Sequence, residues 1–144
     1  MVSAEEVGQV FVYAEGSDGA NRPLMFSERT TILNQTTPTE MWIVPFSNVK
    51  ISGGSLLVFE FLSDATDGID LADSTVNLPV RLINQSTGAV TSKILTTADL
   101  TGTDPTIATA GVRQRLWTYT VPQGLLLELD AGRRGRIAVY DDTA

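Results

Sequence analysis

Apolar and polar residues alternate along most of this chain. From 114 to 121, for example, Trp117, Tyr119 and Val121 fall on one face, and the same period of two runs through 78–83 and 136–140. Such alternation is typical of strands that bury one face, and the β-branched and aromatic residues in these segments favour a pleated surface. The pattern predicts strands over 8–14, 24–33, 41–46, 55–62, 78–84, 89–95, 114–121, 125–130 and 135–140.

Turn-forming residues separate these predicted strands. Ser52-Gly53-Gly54, Pro122-Gln123-Gly124 and the segment 132–135 all lie between apolar runs. No segment has the apolar spacing of a helix, and Thr96 to Leu100 can form one turn at most. Short strands separated by turns predict an all-β, antiparallel sandwich or barrel of about eight to nine strands. We expect residues 8–144 to form this single domain and residues 1–7 to form a short N-terminal arm.

The predicted strand 55–62 is apolar on both faces. One face carries Leu56, Val58 and Leu62, and the other carries Leu57, Phe59 and Phe61. A strand of this kind needs apolar cover on both sides. The outer side is covered either by a loop of the same chain or by a second subunit, and we favour the subunit. Leu56, Val58 and Leu62 are therefore candidate protein-contact residues.

The composition removes most catalytic chemistry. The chain has no cysteine and no histidine, which excludes disulfides, thiol nucleophiles, and histidine-based acid–base or metal chemistry. Lys50 and Lys93 are the only lysines. Paired carboxylates could hydrolyse glycosides, but Glu60 and Glu128 are predicted to point outward from strands. We expect a protein that is not an enzyme and binds no cofactor.

Four aspartates lie close together in one segment, namely Asp64, Asp67, Asp70 and Asp73. Oxygen ligands of this type suit hard cations. These acids fall at every third position, however, whereas a compact calcium loop places them at every second position. The spacing favours a solvated acidic loop, so we predict no metal site.

Charge and hydropathy indicate the class of partner. The net charge of −7 argues against nucleic acid, and no apolar run is long enough for a membrane helix. The N-terminus lacks a secretory signal, so we expect a soluble protein made in a cytoplasm. Arg133, Arg134 and Arg136 lie in a glycine-flanked segment. They either grip carboxylates on an acidic protein surface or keep a turn soluble.

Three aromatic residues, Trp42, Trp117 and Tyr119, are candidates for a sugar-binding platform. Aromatic residues on alternating strands more often belong to the core, and we favour that interpretation. The two alternatives differ in one observable, which is the exposure of the tryptophans to solvent.

The passage Trp117-Thr-Tyr-Thr-Val-Pro-Gln-Gly-Leu-Leu-Leu-Glu-Leu carries a family resemblance. Its order of strand, Thr-Val-Pro-x-Gly and strand resembles small β-sandwich virion proteins of tailed bacteriophages, especially capsid decoration (cement) proteins. The resemblance implies a jelly-roll-like sandwich, often a homotrimer, that binds the major capsid protein on the capsid surface after synthesis in the host cytoplasm. It transfers no binding residues. The alternative is a carbohydrate-binding or receptor-binding module, such as a tail or head fibre tip, in which Trp42 or Trp117 is exposed.

Overall fold

The fold consists almost entirely of antiparallel strands. The computed structural model describes residues 6–16, 21–28, 30–32, 38–63, 69–70, 74–102, 106–107 and 111–139. These residues form thirteen strands and one short 3-10 helix, Thr97–Asp99. The strands are β1 (Glu6–Glu15), β2 (Asn21–Ser27), β3 (Thr30–Ile32), β4 (Thr39–Pro45), β5 (Val49–Ser52), β6 (Leu56–Ser63), β7 (Ile69–Asp70), β8 (Thr75–Asn84), β9 (Val90–Thr96), β10 (Thr106–Ile107), β11 (Gln114–Thr120), β12 (Leu125–Leu129) and β13 (Gly135–Val139). The prediction of an all-β, antiparallel domain is confirmed.

Eleven of these strands form one sheet that folds back on itself. Its order is β11-β6-β1-β2-β4-β13-β8-β12-β5, with β3 paired to β1 and β9 paired to β8. Short turns join β5 to β6 and β11 to β12, which brings the two ends of this path together. The two turns bond to each other, since the Gly54 N–H donates to the Val121 carbonyl at 2.7 Å and the Val121 N–H donates to the Ser55 carbonyl at 2.9 Å. This closure is consistent with a sandwich or barrel-like fold.

The core lies on the inner face of this folded sheet. Alternation places Leu57, Phe59 and Phe61 of β6 inside, where they pack with residues from β1, β4, β8 and β13. Trp117 joins them edge-on, with its ring centroid 6.3 Å from that of Phe59. Burial of each large apolar side chain contributes about 1.5–3 kcal/mol. The period of two in the sequence therefore identified the inner face correctly.

All nine predicted strands overlap a strand of the structure. The predicted strand 24–33 divides into β2 and β3, which pair with the same strand, β1. Three short strands, β5, β7 and β10, were not predicted, and β1 begins at Glu6, inside the predicted arm. The single turn predicted near 96–100 is the 3-10 helix, which Thr96 and Asp99 cap reciprocally.

The arginine-bearing segment interrupts a strand that otherwise continues in one direction. Glu128 of β12 pairs with Arg81, and Arg136 of β13 pairs with Asn77, so both strands run antiparallel along β8. From Glu128 to Arg136 the chain adds eight residues, whereas their partners on β8, Arg81 and Asn77, are only four residues apart. The residues in between, 130–134, form the arginine loop, which leaves the sheet and returns to it. It is an in-line insertion and does not reverse the chain.

The described residues lack two features that would indicate a function. No helix in this part of the chain is long and apolar enough to span a membrane. The same residues contain no group of three or more carboxylates arranged to hold a metal ion.

Candidate functional site

The outer side of β4 carries a patch of large apolar side chains in solvent. Met41, Ile43 and Pro45 point into the core, so alternation places Trp42 and Val44 outside, and Phe46 follows them. Phe26 of β2 lies opposite Val44. We call Phe26, Trp42, Val44 and Phe46 the aromatic face; their exposed fractions are 43%, 45%, 42% and 57%.

The two phenylalanines of the aromatic face contact each other. Their ring centroids are 5.2 Å apart and the ring planes are inclined by 41°. The Phe46 N–H donates to the Leu24 carbonyl at 2.9 Å, which holds the end of β4 beside β2. Tilted aromatic pairs of this kind contribute about 0.5–1.5 kcal/mol beyond the area they bury. The pair is therefore an ordered surface element.

The arginine loop and β13 cover one side of Trp42. The guanidinium carbon of Arg134 lies 4.8 Å from the centroid of the Trp42 ring, and that of Arg136 lies 6.0 Å away. Arg136 also pairs with Glu40, Nη1 to Oε1, at 3.1 Å. Arg134 has no carboxylate partner among the described residues. A guanidinium stacked on a ring keeps its in-plane N–H groups free, so Arg134 can still donate to an anion.

A second arginine stacks on an aromatic ring at the opposite end of the same surface. Arg113 lies 3.9 Å above the ring of Phe11 and pairs with Glu60, Nε to Oε1, at 3.0 Å. The Tyr13 hydroxyl donates to Glu60 at 3.0 Å and accepts from Arg115 at 3.4 Å. Burial raises the pKa of Tyr13, and the hydrogen bond to Tyr13 raises the pKa of Arg115. Tyr13 and Arg115 therefore stay protonated at neutral pH. Together with Glu60 and Arg113 they form the polar rim of this surface.

Strand register joins the rim to the aromatic face in one row. Arg115 lies opposite Glu60, Glu60 opposite Phe11, Phe11 opposite Phe26, and Phe26 opposite Val44. The row crosses β11, β6, β1, β2 and β4. Cross-strand neighbours of this kind pack against one another on the sheet surface. This half of the sheet thus presents an apolar row, Phe11, Phe26 and Val44, that ends on one side at the charged residues Glu60 and Arg115.

Two neighbouring cavities open on this surface and share Phe26 and Phe46. One has a volume of about 470 Å³ and includes Phe11, Tyr13, Glu60 and Arg113 in its wall. The other has a volume of about 610 Å³ and includes Glu28, Glu40, Trp42 and Arg134. Each combines aromatic rings with acidic and basic groups at its margin. Such walls suit apolar groups that carry hydrogen-bonding substituents.

The predicted contact residues of β6 differ in what they can offer to a partner. Leu56 and Leu62 are half-buried. Val58, at 0% exposure, is fully buried within the single chain, between its cross-strand neighbours Tyr13 and Thr118. The expectation that a second subunit covers this strand is therefore wrong for Val58, because the chain itself provides the cover.

The three arginines predicted as contact residues point in two directions. Arg134 and Arg136 turn toward Trp42, as described above. Arg133 turns the other way and lines a shallow depression with Pro79 and Ile94. The structure thus brings two of the three arginines together with an aromatic residue that the sequence treats as an unrelated feature.

The predicted sugar platform is divided between core and surface. Trp117 is 3% exposed and belongs to the core, and Tyr119 is half-buried against it. Trp42 is the exposed tryptophan. The preference for core placement is therefore correct for Trp117 and wrong for Trp42.

The carboxylates that could support catalysis or bind metal are either paired with arginines or lie outside the described residues. Glu60 bonds Arg113, and Glu128 bonds Arg81 at 3.1 Å. The side chains of Asp64, Asp67, Asp70 and Asp73 lie outside the described residues. Neither glutamate contributes to the aromatic face.

Sequence reasoning missed Phe26, Val44 and Phe46. The signal was present in 41–46, which is apolar at every position and so, like 55–62, is apolar on both faces. The sequence-based prediction treats only 55–62 in that way. Both carry an apolar outer side, but only 41–46 leaves it in solvent.

Comparisons with known proteins add no further assignment. No family model, curated protein or solved structure matches the chain.

Proposed function

We propose that this protein is a structural, non-catalytic component of a bacteriophage virion, most specifically a decoration protein that binds the major capsid protein through its aromatic face. The supporting observation is that four large apolar side chains stay in solvent, between ordered arginines. Interfaces are enriched in aromatic residues and arginine at their centres and are polar at their rims. The virion setting comes from the resemblance of the 117–129 passage.

The chemistry of the aromatic face fits contact better than catalysis. Two acids in the cavity walls, Glu60 and Glu40, are paired with Arg113 and Arg136, so they order the surface rather than act as free bases. Burial of the exposed apolar area by a partner contributes about 25 cal/mol per Å². Several such contacts per oligomer would combine into strong avidity on a capsid.

The test is co-sedimentation with capsid shells assembled from the major capsid protein of the same genome. We expect the wild-type protein to sediment with the shells and Val44→Ser or Phe46→Ser to reduce the bound fraction at least tenfold. Val112→Ser is the matched control, since Val112 is equally exposed but lines neither cavity. Wild-type protein that stays in the supernatant, or equal losses for all three variants, would overturn the proposal.

A second candidate function is carbohydrate or receptor binding at Trp42. The observation that favours it is the half-exposed indole beside the 610 Å³ cavity. Because Trp117 is buried, a change in tryptophan fluorescence on addition of soluble glycans would report on Trp42. Saturable changes in the wild type would favour this candidate over the capsid contact, and Trp42→Phe, which removes the reporting indole, should abolish them.

A further inference from the structure

Strand β9 forms an edge of the sheet. It pairs with β8 along its whole length, from Val90 to Thr96, and no second strand pairs with it among the described residues. Val90 and Ile94 are 56% and 52% exposed. Lysine commonly protects such edges, but Lys93 bonds Asp99 at 3.2 Å, which holds its charge beside the 3-10 helix.

The hydrogen-bond ladder shows which backbone groups of β9 face outward. The Asn84 N–H donates to the Ala89 carbonyl at 2.8 Å, and in an antiparallel pair such hydrogen-bonded positions alternate along the strand. Residues 91, 93 and 95 therefore face β8, while Val90, Ser92, Ile94 and Thr96 present their N–H and C=O groups to the outside. The Thr96 N–H is already used, because it donates to the Asp99 carboxylate at 2.9 Å.

We propose that a second copy of this chain pairs with this edge, antiparallel and about a twofold axis at Ser92. In this register Ser92 lies opposite Ser92 of the second copy, and Val90 lies opposite Ile94. Each of these pairs joins residues that face outward, so each can exchange both N–H···O bonds. The two exposed aliphatic side chains become cross-strand neighbours, which buries them against each other.

Two neighbouring registers, with the axis at Lys93 or at Ile94, are less favourable. An axis at Lys93 places two lysines directly opposite each other, which is destabilising, and it needs the Thr96 N–H that Asp99 holds. An axis at Ile94 also needs that N–H and leaves Val90 without a partner. Of these three registers, only the one at Ser92 avoids both the opposed lysines and the need for the Thr96 N–H.

This contact does not depend on the proposed function. Strands β13 and β8 separate β9 from β4 in the sheet, so a dimer through β9 leaves the aromatic face open. Pairing through one edge also gives a closed, twofold assembly. It differs from the trimer that the family resemblance implies.

Single-cysteine variants test the register directly, because the chain has no cysteine of its own. A disulfide needs Cα atoms within about 7 Å, and directly opposed residues in a hydrogen-bonded pair are about 5.5 Å apart. Under mild oxidation we expect Ser92→Cys to give a covalent dimer at least tenfold faster than Lys93→Cys or Ile94→Cys. Cross-linking that is fastest in either of the other two variants would overturn the proposed register.

The mass of the unmodified protein tests whether the contact exists. Light scattering at tens of micromolar should give twice the chain mass of 15.5 kDa, and Ile94→Asp should return the mass to that of one chain. Val44→Asp, an equally exposed aliphatic position on the aromatic face, should stay dimeric. Fluorescence of the buried Trp117 checks that both variants fold. A monomeric wild type, or a folded Ile94→Asp that stays dimeric, would overturn the proposal.

Discussion

The guanidinium carbon of Arg134 lies 4.8 Å from the centroid of the Trp42 ring. The two residues are far apart in sequence, yet the strands beside them, β4 and β13, are neighbours in the sheet. The contact combines an exposed aromatic residue and a flexible cation in one ordered unit. It gives the aromatic face a defined shape before any partner binds.

Removing this arginine should expose Trp42 without unfolding the protein. We expect Arg134→Ala to cost less than about 1 kcal/mol, as is usual for an exposed cation–π contact, and to increase quenching of tryptophan fluorescence by neutral acrylamide. Arg133→Ala is the control, because Arg133 lies in the same loop but faces Pro79 and Ile94. Equal quenching in the two variants would contradict the stacked arrangement.

The burial of Val58 predicts a role in stability. Val58→Ala removes two buried carbons, and at about 0.8 kcal/mol per carbon plus a cavity term it should lower the free energy of unfolding by about 2 kcal/mol. Val44→Ala, on the exposed side of β4, should change it by less than about 0.5 kcal/mol. Urea denaturation measures both values. A near-neutral Val58→Ala would mean that the residue is not covered by its own chain.

The sequence predicts which residues form strands and which side of each strand faces the core, but it does not predict which outer faces are covered. Alternation in 78–83 and 136–140 identifies the strands and their inner faces because side chains on a strand have a fixed period. It does not say whether a second apolar face, such as those of 41–46 and 55–62, is covered, because cover depends on which strands become neighbours. Val58 of 55–62 is covered by its own chain, whereas Val44 of 41–46 stays in solvent.

The closure of the sheet depends on a glycine at a close contact between two turns. A Cβ atom on Gly53 would lie 2.5 Å from the Pro122 carbonyl oxygen and 2.9 Å from that of Leu125. We expect Gly53→Ala to cost about 2–3 kcal/mol, since both neighbours are backbone atoms that cannot rotate away.

Gly88→Ala provides the comparison for that measurement. Gly88 has a positive φ of 75°, but a Cβ atom added there would meet no other atom within 4 Å, so only backbone strain of about 1 kcal/mol applies. Chemical denaturation should rank Gly53→Ala as the more damaging change. The reverse order would argue against close packing of the two turns.

The cap at the end of β9 should respond to acid. The hydrogen bond from the Thr96 N–H, together with Lys93, lowers the pKa of Asp99. A lowered pKa in the folded state means that the carboxylate stabilises the fold above the ordinary aspartate pKa of about 3.9, and that this contribution is lost as the pH falls through the folded-state value.

Asp99→Asn tests this dependence. Urea midpoints should show the wild type as the more stable protein at neutral pH, and the difference should vanish in strong acid, below the folded-state pKa of Asp99. A difference that persists unchanged in strong acid would show that charge on Asp99 does not contribute.

The position of the arginines illustrates what the sequence could not supply. Gly132 and Gly135 mark a turn-like segment in the sequence, and a reversal of the chain is the simplest interpretation. The pairing of Glu128 with Arg81 and of Arg136 with Asn77 shows that the chain continues in the same direction. Local residue preferences carry no information about β8, which lies some fifty residues earlier and holds both halves in line.

The in-line arrangement of the arginine loop has a consequence for how this surface can change. Because β8 fixes the strand on both sides of residues 130–134, neither half needs a particular loop length to keep its register. The segment behaves like a variable loop on a fixed framework, open to insertion or replacement beside Trp42. Homologous proteins could therefore exchange binding preferences there while every strand of the scaffold stays in place.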